Sequence, residues 1–318
     1  MLFAKRYNQG LFELMKDKST YFLGEDVQDP YGGAFKISHG LSSAYPLRVL
    51  SMPMSEQSFV GFGIGLALSG ARVLVEIMFS DFLTLTADQL INHAAKFHKL
   101  YDLSIPLVIR TPSGGYRGYG ATHSQSLEKL FFGIPGLDVW APNILSDPII
   151  LLEECLKSGT PTVFIENKLD YQREMIEGEY KNLLEIQFSP LLSTIRIPSM
   201  IPQISLVTYG GMVQGALDLM YQLFMEEEIV CEVIVCQCLS PLPSSLQTEV
   251  HSPRILIIEE GHQDFGWASE VAFCFRTTKD VKRIGAKMDV IGASLMQEQS
   301  VLPQWDDIEK RIKGWVLS

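Results

Sequence analysis

The sequence predicts an α/β protein with two three-layer α/β domains, each built on a mainly parallel sheet. Apolar runs of strand length alternate along the chain with segments of helical periodicity, which is typical of βαβ units. The alternation breaks once, over about residues 170–200, where mixed charge and prolines indicate a connection between domains. A chain of 318 residues with 47% hydrophobic content can form two cores. We therefore expect domains over residues 1–185 and 186–318.

In the first half, an amphipathic helix before residue 20 leads into a short strand that ends in acidic residues at Glu25. The later strands are continuous apolar runs, as in parallel sheets that are covered on both faces. We predict them at 49–52, 73–79, 105–110, 138–140 and 162–166, with a helix around 148–157.

The second half repeats this pattern. We predict strands at 204–208, 231–236 and 254–259, with helices at 212–225 and 269–275. No G-x-G-x-x-G pattern opens this half, so the sequence gives no support for a dinucleotide site.

Glu56 stands directly in front of a chargeless, glycine-rich run from Ser58 to Gly70. The run is shorter than the roughly 18–20 apolar residues of a membrane span, so we predict a buried helix with Ser55 as its N-cap. Each glycine costs about 1 kcal/mol of helix propensity, which indicates close packing against this backbone. Glu56 is then either an acid favoured by the helix dipole or a carboxylate at the mouth of an apolar pocket.

The strand at 105–110 is followed by a glycine-rich loop that reaches His123. Such a loop lies at the edge where open α/β sheets bind ligands, which makes His123 a candidate site residue. The loop lacks the G-x-x-x-x-G-K-[ST] pattern of a phosphate loop. We expect His93 and His98, on a helix before the strand, to be surface or packing residues.

Composition excludes some partners. A net charge of −11 and a pI near 5.1 argue against nucleic acid and against a membrane surface. The mean hydropathy of +0.13 without a spanning segment indicates a subunit interface. The five cysteines form neither a C-x-x-C pair nor a zinc-spaced cluster, and no signal-length apolar core begins the sequence, so we expect a reduced, cytoplasmic protein.

The ordered segments resemble one family, the β subunit of the thiamine-diphosphate-dependent E1 component of 2-oxoacid dehydrogenase complexes. The matching pieces cover nearly the whole chain and keep their order and spacing. They include G-E-D-V, Y-G-G-A-F-K-I-S-H-G-L, M-S-E-Q-S-F-V-G-F-G-I-G-L-A-L-S-G, D-Q-L-I-N-H-A-A-K, P-L-V-I-R-T-P-S-G-G, H-S-Q-S, V-T-Y-G-G-M-V and L-S-P-L.

The resemblance implies a transketolase-type pyrimidine-binding domain followed by a transketolase C-terminal-like domain. It implies that Glu56 hydrogen-bonds N1′ of the thiamine diphosphate pyrimidine and that Phe82 packs on that ring. His123 matches an active-site histidine that assists the 2-oxoacid adduct and acyl transfer. Glu25 is placed with the cofactor-binding residues.

The resemblance also implies partners. The family's Gly-Asp-Gly diphosphate and Mg²⁺ motif belongs to the E1 α subunit, and no Gly-Asp-Gly occurs in this sequence. We therefore expect no metal ligands on this chain, an α2β2 assembly with a second β subunit, inactivity without the α partner, and a lipoyl-bearing E2 as a further partner. Ser158 and Thr160 stand where some members bind K⁺ with an Asp and an Asn, so the resemblance does not imply potassium binding here.

Two alternatives stay open. The chain could be the C-terminal half of a split transketolase-like enzyme that moves ketol units between sugars. It could also be a non-catalytic subunit that keeps the fold for assembly, which the altered potassium positions favour. Retention of Glu56, Phe82 and His123 together weighs against the scaffold, because assembly has no chemical need for all three.

Overall fold

The computed structural model describes residues 1–317; Ser318, the last residue of the second predicted domain, lies outside the described residues. The helices are α1 (Phe3–Leu14), α2 (Leu41–Ala44), α3 (Glu56–Leu68), α4 (Ala95–Tyr101), α5 (Pro148–Ser158), α6 (Val213–Glu227), α7 (Leu246–Glu249), α8 (Trp267–Phe275), α9 (Leu295–Val301) and α10 (Trp305–Val316). The strands are β1 (Thr20–Gly24), β2 (Val49–Ser51), β3 (Arg72–Glu76), β4 (Leu107–Ser113), β5 (Asp138–Trp140), β6 (Thr162–Asn167), β7 (Glu179–Tyr180), β8 (Leu184–Gln187), β9 (Leu192–Arg196), β10 (Ile204–Thr208), β11 (Cys231–Cys236), β12 (Cys238–Ser240), β13 (Arg254–His262) and β14 (Asp280–Ala286).

The first sheet has seven strands in the order β12-β5-β6-β4-β3-β1-β2. Its strands run parallel except β12, which is antiparallel to β5. The carboxyl ends of β4, β3, β1 and β2 therefore lie side by side at one edge, where an open α/β sheet binds ligands.

Helices cover both faces of this sheet. Val73 and Val75 of β3 pack in the same core as Ile64 of α3, whereas Leu74 packs with Leu11 of α1 and with α5 on the other face. Successive strand side chains point to opposite faces, so a run that is apolar throughout needs cover on both sides. The predicted α/β class with three layers is confirmed.

Helix α3 buries one side only. Phe59 and Ile64 are in the core, whereas Phe62 and Leu68 are 47% and 41% exposed in this chain. A Cβ on Gly63 would lie 3.0 Å from Val75, so this glycine permits the close packing that we predicted. The predicted buried helix is confirmed on one side, and its other side is uncovered in this chain.

The second sheet has the order β14-β13-β10-β11-β9-β8-β7. Strands β14, β13, β10 and β11 are parallel, and β9, β8 and β7 add to them antiparallel. Helices α6 and α10 pack on one face, and α8 packs on the other in a core that continues into the first unit.

The segment predicted as the inter-domain connection, residues 170–200, is not an irregular linker, because it carries β7, β8 and β9 of the second sheet. These strands are short, and β7 and β8 are partly exposed, so they lack the apolar runs by which we recognised the central strands. The division at 185/186 falls inside β8 and stays a prediction. Conversely, strand β12 belongs to the second half of the sequence but pairs with β5 in the first sheet.

Candidate active site

Four predicted residues lie at the carboxyl edge of the first sheet. Glu25 follows β1, and Glu56 begins α3 shortly after β2. Phe82 lies in a 3-10 turn (Ser80–Thr86) that follows β3, and His123 lies on the loop after β4. Because these four strands are neighbours, residues far apart in sequence meet at one edge.

Glu25 lies close enough to Glu56 for the two carboxyl groups to interact electrostatically. Burial raises the pKa of Glu25, and the negative charges of Glu56 and Asp26 raise it further. Oε1 of Glu25 is buried and has no hydrogen-bond partner within residues 1–317. Buried polar atoms are normally paired, so this oxygen can accept or share a proton with a bound group.

Ser55 occupies the N-cap position of α3, as predicted, but its side chain makes no cap hydrogen bond. Its hydroxyl instead pairs with the Ser58 hydroxyl at 2.8 Å. The predicted N-cap position is confirmed, although the Ser55 hydroxyl bonds to the Ser58 side chain and not to a backbone N–H.

Phe82 and His123 belong to an aromatic cluster. Their ring centroids are 5.5 Å apart, and His123 also lies 4.7 Å from Phe79, with both contacts edge-on. Phe79 is a site residue that the sequence reasoning missed, since we took it as the end of a strand. Its spacing of three residues from Phe82, which places both on one side of a helical turn, could have identified it.

Lys168 is a second missed residue. It follows β6, and its Nζ donates a hydrogen bond to the backbone carbonyl of His123 while lying 5.3 Å from the Phe79 ring centroid. Burial lowers the pKa of Lys168 to about 8, and nearby carboxylates, first Glu260, act against that shift. A lysine directly after a buried strand was the available sequence signal.

The glycine-rich loop is attached to the second α/β unit. The backbone N–H of Gly115 donates to Glu260 at 2.5 Å, and that of Gly118 donates to Glu298 at 2.6 Å. Neither glutamate was a candidate, because each lies more than 140 residues from its partner in sequence.

The remaining candidates lie elsewhere. Nδ1 of His98 is 2.8 Å from the carbonyl of Leu103, and His93 packs edge-on against Phe97, which fits the structural roles expected of both histidines. The Ser158 hydroxyl donates to the Cys155 carbonyl at 2.8 Å. Within residues 1–317 no group of three or more His, Cys, Asp or Glu side chains could hold a metal ion.

Comparison with known families decides the relationship. The model named "Transketolase, pyrimidine binding domain" matches residues 3–174, and "Transketolase, C-terminal domain" matches residues 194–308. Pyruvate dehydrogenase E1 component subunit beta-1, mitochondrial, of Oryza sativa subsp. japonica is 32% identical over 316 residues, covering 95% of this chain and 82% of that protein. The chain belongs to the E1 β-subunit family.

Other members of the E1 β family differ in their named reactions. The β subunit of acetoin:2,6-dichlorophenolindophenol oxidoreductase from Cupriavidus necator is 33% identical over 276 residues, covering 82% of this chain and 79% of that protein. The chain is therefore a subunit of the oxidoreductase type, in a family whose transketolase-like domains imply thiamine diphosphate.

Solved structures show the same fold at low identity. A split-gene transketolase, described as an inactive β4 tetramer, superposes with a TM-score of 0.78 at 18% identity over 100% of this chain and 99% of that one. Transketolase from Campylobacter jejuni gives a TM-score of 0.66 at 12% identity over 98% of this chain and 46% of its own. No helix within the described part of this E1 β chain has the length and apolar character to cross a membrane.

Proposed function

We propose that the chain is the β subunit of an α2β2 enzyme that decarboxylates a 2-oxoacid and transfers the acyl group to a lipoyl group. The observation that carries this proposal is the placement of Glu56, Phe82 and His123 on one sheet edge in a chain of the E1 β family. A scaffold would need the fold but not these three side chains at that edge.

The residues at this edge fit one end of thiamine diphosphate. Glu56 would hydrogen-bond the pyrimidine nitrogen N1′, and the half-buried ring of Phe82 would pack on the pyrimidine face. Glu25, with its unpaired buried oxygen, would contact the bound cofactor beside Glu56. When bound, thiamine diphosphate supplies the carbanion that attacks the carbonyl carbon of the 2-oxoacid.

His123 would serve the reacting end. Its ring sits against Phe79 and Phe82, and its backbone is held by Lys168, so its position is defined on two sides. An imidazole at this place can act as the general acid or base that acyl transfer requires.

Other parts of the site are proposed to come from partners. An E1 α subunit with a Gly-Asp-Gly motif would hold the diphosphate and Mg²⁺, a second β subunit would complete the α2β2 assembly, and a lipoyl-bearing E2 would accept the acyl group. We keep the cytoplasm as our predicted location; all five cysteines are free, which fits a reducing compartment.

Reconstitution tests the proposal. The full chain is mixed with a Gly-Asp-Gly-containing E1 α partner, and decarboxylation of pyruvate and branched-chain 2-oxoacids is measured with and without that partner. We expect activity only with the partner, and a loss of about 100-fold or more for Glu56→Gln, because the amide cannot deliver the carboxyl proton. Full activity of the isolated chain would contradict the shared site.

Asp306→Asn is the matched control, since Asp306 is also an acid in the first turn of a helix, α10, but is exposed and far along the chain. It should change the rate less than twofold. Unchanged thiamine diphosphate affinity and turnover in Glu56→Gln would favour the assembly subunit instead.

A second candidate function is ketol transfer, with which the fold shared with the split-gene transketolase is consistent. The same reconstituted complex is assayed with sugar phosphates as donors. Acceptance of a sugar phosphate and rejection of every 2-oxoacid would replace the first proposal with this one.

A further inference from the structure

The loop between β4 and His123 is anchored by the second α/β unit at three points. Gly115 and Gly118 donate their backbone N–H groups to Glu260 and Glu298, at 2.5 and 2.6 Å. The Tyr116 hydroxyl donates to the carbonyl of Pro303 at 2.7 Å. Three of the four residues from Gly115 to Gly118 are thus hydrogen-bonded to the second unit.

The glycines of the loop permit these contacts. A Cβ on Gly115 would lie 2.7 Å from Oε1 of Glu298, so a side chain there would displace the carboxylate. Gly118 has φ +69, a left-handed conformation that favours glycine and turns its N–H toward Glu298. The loop is therefore shaped to accept carboxylates from outside its own domain.

Glu298 destabilises the fold more than an apolar residue at the same position would. It is fully buried on α9, and its Oε1 has no hydrogen-bond partner within residues 1–317. An unpaired buried carboxylate oxygen costs free energy that an apolar side chain would not. Its Oε2 makes one directed contact, the hydrogen bond from Gly118.

The anchored loop connects to His123 through Lys168. Arg117, between the anchored positions, donates to the carbonyl of Lys168 at 3.3 Å, and Nζ of Lys168 donates to the carbonyl of His123. Glu260 and Glu298 both favour the charged form of this lysine. A change at Glu298 can therefore reach His123 both through the loop backbone and through the lysine.

We propose that Glu298 is a positioning residue for His123, acting from the second α/β unit by holding the Gly118 backbone. The inference rests on the role proposed for His123 above. It predicts that the second unit orders the active-site loop in the isolated chain, before any partner binds.

The loop contains its own probe, because trypsin cleaves after arginine and the Arg117–Gly118 bond carries the anchored N–H. Limited tryptic digestion of the full-length wild type, Glu298→Ala, Glu298→Gln and Gln299→Ala is followed by mass spectrometry. We expect cleavage at Arg117 to be about 10-fold faster or more in Glu298→Ala, since the lost hydrogen bond from Gly118 no longer opposes local opening. Glu298→Gln keeps an acceptor oxygen and should restore resistance.

Gln299→Ala is the matched control, because Gln299 is the next residue of α9 and its side chain is exposed. It should leave the cleavage rate unchanged. An unchanged rate in Glu298→Ala would overturn the anchoring. If that variant does not fold, site-resolved hydrogen exchange of the wild type decides: the Gly118 amide should exchange more slowly than that of exposed Ala121, and equal rates would overturn the proposal.

Activity of the reconstituted complex tests the positioning. We expect Glu298→Ala to lower kcat with little change in KM for the 2-oxoacid, and Glu298→Gln to retain most of kcat. Suppose that Glu298→Ala is cleaved faster but keeps its kcat, while His123→Ala lowers kcat. That result would overturn the positioning role of Glu298 and leave the function proposed for His123 intact. An unchanged kcat in His123→Ala itself would instead overturn the function proposed for His123, and the inference with it.

Discussion

Replacing Arg110 with Met should lower the free energy of unfolding by about 3–5 kcal/mol, because it leaves two carboxylates buried without their cation. Arg110 is fully buried in β4, and its guanidinium forms ion pairs with Glu76 and Glu166. The hydroxyls of Tyr7 and Tyr171 also donate hydrogen bonds to Glu166. Removing the arginine takes away the one positive charge that this cluster contains.

Urea denaturation of the full chain, followed by circular dichroism, measures the loss. A typical domain is stable by about 5–15 kcal/mol, so a loss of this size would move the midpoint strongly. Lys157→Met is the matched control: its ammonium lies 4.0 Å from Glu153 and Glu154 on the surface, and such pairs contribute about 0–1 kcal/mol.

The pH dependence sharpens the Arg110 prediction. Burial raises the pKa of Glu76 to about 7 from its ordinary 4.5, although Arg110 acts in the lowering direction. Without Arg110 the folded-state pKa rises further, so the protonated carboxyl is favoured in the folded variant. The contribution of the Glu76 carboxyl to stability is then fully present below pH about 4.5, and it is lost as pH rises through the folded-state pKa. The deficit should be small near pH 5 and large at pH 8; a deficit below about 1 kcal/mol at pH 8, or one independent of pH, would refute the reasoning.

Three further variants test the site and the packing. Glu25→Gln should be more stable than the wild type at pH 8 but not near pH 4. Burial and a neighbouring carboxylate raise the folded-state pKa of Glu25, so the contribution of this carboxyl to wild-type stability is lost as pH rises past about 4.5. Equal urea midpoints of the two proteins at pH 8 would contradict this. Gly215→Ala should destabilise α6 by about 1–3 kcal/mol, since a Cβ there overlaps the Trp305 indole, whereas Gly314→Ala in α10 meets open space and should stabilise by up to about 1 kcal/mol in thermal denaturation.

Local patterns were sufficient for the central elements. The apolar runs at β4, β6, β10 and β11 predicted those strands to within a few residues. Their prediction succeeded because a strand covered on both faces must be apolar throughout, and that requirement is visible without knowing its neighbours.

The peripheral strands were not visible in the same way. Strands β7 and β8 have exposed positions, and β12 consists of Cys238–Ser240. Whether such a segment becomes a strand depends on which distant strand offers it free backbone N–H and C=O groups. A short polar or half-buried run does not indicate that partner in its own sequence.

Some residues of the candidate site could be predicted from local motifs, and others became visible only in the folded chain. The motifs around Glu56, Phe82 and His123 named the side chains, because each stands beside a recognisable glycine-rich or apolar segment. Phe79 and Lys168 joined them when β3, β4 and β6 aligned their carboxyl ends.

The sequence by itself determined the α/β class, the family and the residues placed at the sheet edge, since these follow from periodicity and from motifs of adjacent residues. The tertiary structure decided the partners of those residues: the cluster around Arg110, the unpaired oxygen of Glu25, and the hold of Glu260 and Glu298 on the His123 loop. A hydrogen bond between a glycine N–H and a carboxylate 180 residues away leaves no periodic trace in either segment, so it emerges only when the two units pack together.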